Sequence, residues 1–250
     1  MKLQIQKTVD LFYEIETNTK ILTDIDIDLS KCCVLAIDLY AIHKCLIAQE
    51  KINLKIPKIN SFLKKIRNNG GKIIYGCNIS SNKYDSLKNN ISKIPVVDIY
   101  NYGTNIQPLK YQVSNGGIVK KNKNFNRHNL EIHPDIEIDY ENDVLSNHGK
   151  EIVNYIKYMN IEHIFIIGFH LNLCILDKQY GVQNIIRYKL PVILVRDLTD
   201  ILFAKILEKN NHTHNNYLKK NNYTHNSYLE YVISYFEKYY GPSTLSINFK

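Results

Sequence analysis

The sequence predicts a doubly wound α/β domain: a mainly parallel sheet with helices on both faces. Two observations carry this. Cys33–Ile37, Ile73–Tyr75, Ile164–Ile167 and Val192–Val195 are uninterrupted apolar runs, the pattern of strands covered on both faces. Between them lie segments with helical spacing of apolar residues, and strands alternating with such segments form βαβ units.

Taken in order, Leu3 to Asp28 alternates apolar and polar residues. A period of two predicts one or two half-exposed antiparallel strands, added to the sheet rather than central to it. After the run ending at Ile37, Ile59 to Arg67 places Phe62, Leu63 and Ile66 on one helical face. Asn69-Gly70-Gly71 stops that helix before the second run. Residues 78–133 lack clear periodicity and read as a long loop, with a short strand at Pro95–Tyr100. Gly149 to Tyr158 and Leu176 to Tyr188 read as helices, the second stopped by Lys189-Leu190-Pro191. Lys209 to Asn226, rich in Asn, His and Lys, reads as a low-complexity insertion. Leu229, Val232, Ile233 and Phe236 give a final helix that stops at Gly241-Pro242. The expected organisation is a strand extension (1–29), one domain (30–208 and 227–250) and an insertion (209–226).

Bulk properties narrow the function. The chain has 250 residues, 44% of them hydrophobic, enough for a core without disulfides or a metal. Neither a membrane-spanning run nor the apolar core of a signal peptide is visible, so a cytoplasmic protein is the default. Five cysteines, an odd number, fit reduced thiols better than a disulfide framework. The net charge of +8 is spread without a dense basic run, and no nucleic-acid partner is expected. His212, His214 and His225 lie in or at the edge of low-complexity sequence and make no designed metal site. No metal and no cofactor are predicted, and no Gly-rich phosphate loop follows a strand.

Ligands of open α/β sheets bind beyond the carboxyl ends of the strands, and two such ends carry reactive groups. Asp38 closes the first apolar run. A buried carboxylate needs a partner, although it could simply cap a following helix. The run ending at Ile167 continues as Gly168-Phe169-His170-Leu171-Asn172-Leu173-Cys174. That places Cys174 at a helix start, where backbone N–H groups lower a thiol's pKa and can hold an oxyanion. The alternative is that Cys174 is one more buried small hydrophobe.

Gly168 to Leu176 resembles the nucleophile segment of the isochorismatase-like cysteine hydrolases. Cys33 to Tyr40 is similar to their first strand, and Val192 to Asp200 to the strand after the nucleophile. The resemblance spans residues 30 to 205. It extends to one branch of that superfamily through Asp38…His43…Cys45, His133-Pro134-Asp135-Ile136-Glu137-Ile138, His170, Asn172 and Arg196-Asp197-Leu198-Thr199-Asp200. It implies a three-layer sandwich in which Asp38 is the base and Cys174 the nucleophile. The backbone N–H groups of His170 and Cys174 would hold the oxyanion, after a cis Phe169–His170 peptide. The family's lysine position aligns with Asp139, so His43 is the candidate substitute. His43, Asp139 and Asn172 are expected to line the pocket.

Two readings stay open: a hydrolase of a small amide, imide or related carbonyl compound, and a non-catalytic protein that keeps the fold for binding or assembly. The expected partners are a small-molecule substrate and further copies of the chain; no membrane partner is expected.

Overall fold

The computed structural model describes residues 1–9, 19–106, 109, 121–203 and 224–249. They contain eight strands in one sheet. These are β1 (Lys2–Val9), β2 (Thr19–Asp26), β3 (Cys32–Ile37), β4 (Lys72–Gly76), β5 (Val144–Ser146), β6 (His163–Phe169), β7 (Val192–Asp200) and β8 (Ser243–Thr244), in the spatial order β2-β1-β8-β7-β6-β3-β4-β5. From β8 to β5 all neighbours are parallel; β1 is antiparallel to both β2 and β8. The expected doubly wound sheet with an antiparallel N-terminal addition is the architecture observed.

Each apolar run is buried on both faces, and the period of two sorts its residues. From β3, Cys33, Leu35 and Ile37 face a layer made by α3 (Gly149–Tyr158), α4 (Val182–Ile185) and α5 (His225–Tyr239). Cys32, Val34 and Ala36 face α1 (Leu46–Asn68), which buries Ile52, Ile56, Ile59, Phe62, Leu63 and Ile66. Phe249 completes that side through edge-to-face contacts with Phe62 and Phe165, at 4.9 and 4.8 Å between ring centroids.

Several elements differ from expectation. Helix α1 starts at Leu46, well before Ile59, and runs through Pro57. Pro57 is on the solvent face, where a missing N–H leaves no buried carbonyl unpaired. Part of the expected 78–133 loop is α2 (Asp85–Ser92), anchored by only Leu87 and Ile91, too few to show a period. Pro95–Tyr100 forms no strand; Asn154 holds it by accepting from Val97 N (2.8 Å) and donating to Pro95 O (3.0 Å). The single helix expected over Leu176–Tyr188 is broken. A π-helical turn spans Leu171–Ile175, helical structure lapses around Gly181, and α4 then leads into a 3-10 turn at Ile186–Tyr188. Of the 209–226 segment, only 224–226 are described. There Thr224 caps α5 through a reciprocal bond with Ser227, so the helix begins earlier than its apolar spacing suggests. Positions 212 and 214 lie outside the described residues.

Two buried carboxylates tie the layers together. Glu237 of α5, fully buried, accepts from Gln6 Nε2 (2.9 Å), Thr8 Oγ1 (2.5 Å) and Ser243 Oγ (2.5 Å), joining α5 to β1 and β8. At the amino ends of the strands, Asp143 meets Arg67 through two contacts, Nε–Oδ1 at 3.0 Å and Nη2–Oδ2 at 2.5 Å. Asp143→Ala leaves a half-buried guanidinium and the buried Tyr75 hydroxyl without the carboxylate they share. It is expected to cost about 3 kcal/mol, read from urea unfolding.

Candidate active site

The strand order reverses at β3: β4 and β5 are added on one side of it, β6 and β7 on the other. The carboxyl ends of β3 and β6 therefore flank the crevice that such sheets use for ligands. Asp38 follows β3, and the Cys174 turn follows β6.

Asp38 does not cap a helix. It turns the chain at φ 50°, in the left-handed region that Asp tolerates better than most residues. Its N–H donates to Gly76 O (3.1 Å) and its carbonyl accepts from Tyr40 N (2.8 Å). The loop it opens is braced from outside: His133 N donates to Leu39 O (2.8 Å), and Tyr40 bridges to Ile132. The His133–Ile138 motif thus supports the loop that carries the acid.

The Asp38 side chain is 6% exposed. Tyr180 Oη donates to its Oδ1 at 2.8 Å, and the Cys174 thiol and the Tyr40 hydroxyl stand near enough to the carboxylate to act on its pKa. Among the described residues no ion pair reaches Asp38. Burial pushes its pKa up, and the bonds from Cys174, Tyr180 and Tyr40 pull it back only in part. Burial also raises the Cys174 thiol, helped by the adjacent Asp38 charge. Lys178, exposed and one turn further on, and the His170 backbone N–H oppose that rise without cancelling it. The turn at Cys174 does not depress the thiol, contrary to expectation, because desolvation and a facing carboxylate outweigh its backbone dipoles. The resting sulfur is therefore a protonated thiol.

The Phe169–His170 peptide is cis. The His170 ring is buried and lies edge-on to His43, 4.9 Å between centroids. Burial, followed by the charges of His43, Lys51, Lys44 and His225, holds His170 well below the ordinary histidine range, so it is neutral. His43 is likewise lowered by burial. It sits in an irregular loop, not on a helix as its spacing from Asp38 suggests, and its Nδ1 accepts from Cys45 N (3.0 Å). On the β7 side, Asp200 Oδ1 lies 2.7 Å from His225 Nε2, and its Oδ2 lies 3.6 Å from Lys51.

Asp38, His43, His170 and Cys174 are thus brought to one end of the sheet. Two other expected pocket residues have their polar groups engaged elsewhere. Asn172 is fully buried, with its amide closing a ring with Leu202: Nδ2 to Leu202 O at 3.1 Å, and Leu202 N to Oδ1 at 2.9 Å. Asp139 lies in the turn before β5, beside Asp143 and Arg67 at the amino ends of the strands, and accepts from Glu141 N, Asn142 N and Asn142 Nδ2. Tyr40 and Tyr180 were missed. Tyr40 stands two residues beyond the acid and could have been weighed on that ground. Tyr180, inside an apparent helix, carried no such signal. Among the described residues no cluster of His, Cys, Asp and Glu could hold a metal, and no helix is long and apolar enough to cross a membrane.

The Arg196–Asp200 motif has a structural account. Between β6 and β7 the register shifts, from Ile166↔Leu194 to Gly168↔Thr199. Within the resulting bulge, Arg196 donates to Ser243 Oγ (3.1 Å), and Asp197 pairs with Lys58 (2.7 Å) and accepts from Ser246. Thr199 Oγ1 donates to Gly168 O (2.8 Å).

No protein family and no curated protein matches the sequence. Among solved structures, the chain is similar to a cysteine hydrolase from Pseudomonas syringae pv. phaseolicola 1448A. The identity is 13%, covering 88% of this chain and 91% of that one, with a TM-score of 0.50. More distant likenesses are an isochorismatase family protein from Desulfovibrio vulgaris subsp. vulgaris str. Hildenborough (13%, 78% and 92% covered, TM-score 0.43) and a nicotinamidase pyrazinamidease from Acinetobacter baumanii (10%, 88% and 99% covered, TM-score 0.43). The doubly wound α/β fold expected from the sequence is the fold observed, and it is shared with that cysteine hydrolase.

Proposed function

We propose that the chain is a cysteine hydrolase acting on a small amide, imide or related carbonyl compound, with Cys174 as nucleophile and Asp38 as base. The observation that carries this is the placement of a partly exposed thiol beside a buried carboxylate at the point where the strand order reverses.

The chemistry follows from that contact. As the sulfur attacks the carbonyl carbon, the thiol proton passes to Asp38, so the thiolate forms only as it is consumed and a high thiol pKa is no obstacle. The His170 backbone N–H, which faces the sulfur, and that of Cys174 stabilise the tetrahedral oxyanion. Collapse expels the amine, which takes the proton from Asp38 and leaves a thioester. Water then attacks, giving its proton to Asp38; the acid departs and the thiol is restored.

A non-catalytic role is the second reading, favoured by the raised thiol pKa and the lack of an ion pair at Asp38. Alkylation by iodoacetamide separates the two. Cys32, Cys33, Cys45 and Cys77 are buried and Cys174 is not, so access alone makes Cys174 the first thiol modified. The informative quantity is its dependence on Asp38. With a base present, the rate at neutral pH exceeds that of Asp38→Asn by about tenfold or more. Equal rates in the two proteins would leave the non-catalytic reading standing. The pH dependence has a fixed sign. Asp38 has a raised pKa, so reactivity falls as pH drops through a midpoint above the ordinary carboxylate value of about 4.

A further inference from the structure

We infer that Tyr180 is the positioning residue of this site: its phenol, rather than a cation, fixes the Asp38 carboxylate for proton transfer from Cys174. The inference rests on the reading of Asp38 as base and specifies how that base is held.

A buried carboxylate needs either a counter-charge or donors. Among the described residues no Lys, Arg or His forms an ion pair with Asp38. Tyr180 supplies the donor instead, with the Tyr40 phenol and the thiol close by. Tyr40 Oη is tied back to the main chain by accepting from Asn78 N at 2.9 Å. Tyr180 is 2% exposed and reaches Oδ1 at 2.8 Å from the far side of the crevice. Burial and the Asp38 charge raise both phenols, so both remain protonated donors. Tyrosine donation holds the carboxylate rotamer while leaving the pair with one net negative charge, which a neighbouring lysine would cancel.

The segment bearing Tyr180 is built into place. A Cβ at Gly76, on the adjacent β4, would stand 3.0 Å from Tyr180 Cδ2. One at Gly149, the first residue of α3, would stand 2.0 Å from Gln179 O. Two elements distant in sequence thus lack side chains where the 179–180 segment presses against them. That contact breaks the helix after Cys174 and turns the Tyr180 ring toward Asp38 rather than along the outer layer.

The test is the pH profile of Cys174 alkylation by iodoacetamide in the full chain, followed by peptide mass spectrometry. Sulfur displaces iodide, and the thiol proton goes to Asp38. A phenol donating to the carboxylate favours its ionised form, so removing the donor raises the Asp38 pKa. In Tyr180→Phe the acid limb is expected to move up by about one pH unit with the plateau nearly kept. Placing 3-fluorotyrosine at position 180 keeps the ring and the hydroxyl, strengthens the donor and moves the limb the other way; it covers the case in which Tyr180→Phe does not fold. A purely structural role predicts a lower plateau at an unmoved midpoint, and that result overturns the inference. Asp38→Asn separates the two levels. If it abolishes the limb while the Tyr180 substitutions leave the limb in place, only the role of Tyr180 fails. If it leaves the limb intact, Asp38 is not the base and both readings fall.

Discussion

Cys174→Ala is expected to remove hydrolysis of any substrate the protein is found to turn over, by on the order of 10⁴-fold or more, with folding intact. The side chain lies at the end of a π-helical turn and is only partly buried, so losing one sulfur leaves a small, solvent-accessible gap. The Tyr180 donor to Asp38 remains. The variant should therefore unfold within about 1 kcal/mol of the wild type, and the pairing of lost turnover with kept stability is the diagnostic. Cys174→Ser keeps a hydroxyl donor to Asp38 but is a far weaker nucleophile, and is expected to fall nearly as far. Steady-state assays on a panel of small amides and imides, with urea unfolding alongside, make the measurement. Turnover retained in Cys174→Ala would rule out the covalent route.

Gly168→Ala is the substitution expected to damage the fold most. Gly168 lies opposite Ile37 in the parallel pair β3–β6, at φ 113°. A Cβ there would stand 2.0 Å from Ile37 O and 2.8 Å from Ile37 C and N. These are backbone atoms of a central strand, so no rotamer change relieves the clash, and the φ alone disfavours any L side chain. The two strands would have to separate just below Asp38 and His170. A cost of about 4 kcal/mol or more is expected, a large share of the roughly 5–15 kcal/mol that holds a domain folded. Gly103 is the control. It also has a positive φ, 69°, but nothing lies within 4 Å of an added Cβ; Gly103→Ala should cost about 1 kcal/mol. Similar costs at both positions would mean that the close approach of β3 and β6 is not what Gly168 serves.

The central strands could be read from sequence because burial on both faces leaves no room for polar residues, and the polar residue that ends each run then stands out. That is how Asp38 and the His170–Cys174 segment became candidates. What could not be read is whatever depends on a contact between distant segments. Tyr180 looks helical by its neighbours, yet its direction is set by Gly76 and Gly149, which carry no local mark of that role. Asn172, polar and beside the nucleophile, reads as a pocket residue, but its amide is used up by Leu202. Asp139 was placed by the spacing of a neighbouring motif, whereas the Arg67–Asp143 pair draws its turn to the opposite end of the strands. Helix α1 extends through Pro57 because the ring faces water, a fact about orientation that spacing does not encode.

The position of β8 also sets an order of events as the chain emerges from the ribosome. β1 reaches the rest of the sheet through β8, with Gln6 opposite Ser243, and Thr8 and Gln6 bond to Glu237. The β1–β2 ribbon can zip up early, since its partners are near in sequence, but it has no seat on the domain until residues around 243 have been synthesised. Until then β7 presents a bare edge where β8 belongs. A chain halted before Glu237 would thus carry a complete Asp38–Cys174 pair on a sheet that lacks its β8–β1–β2 side.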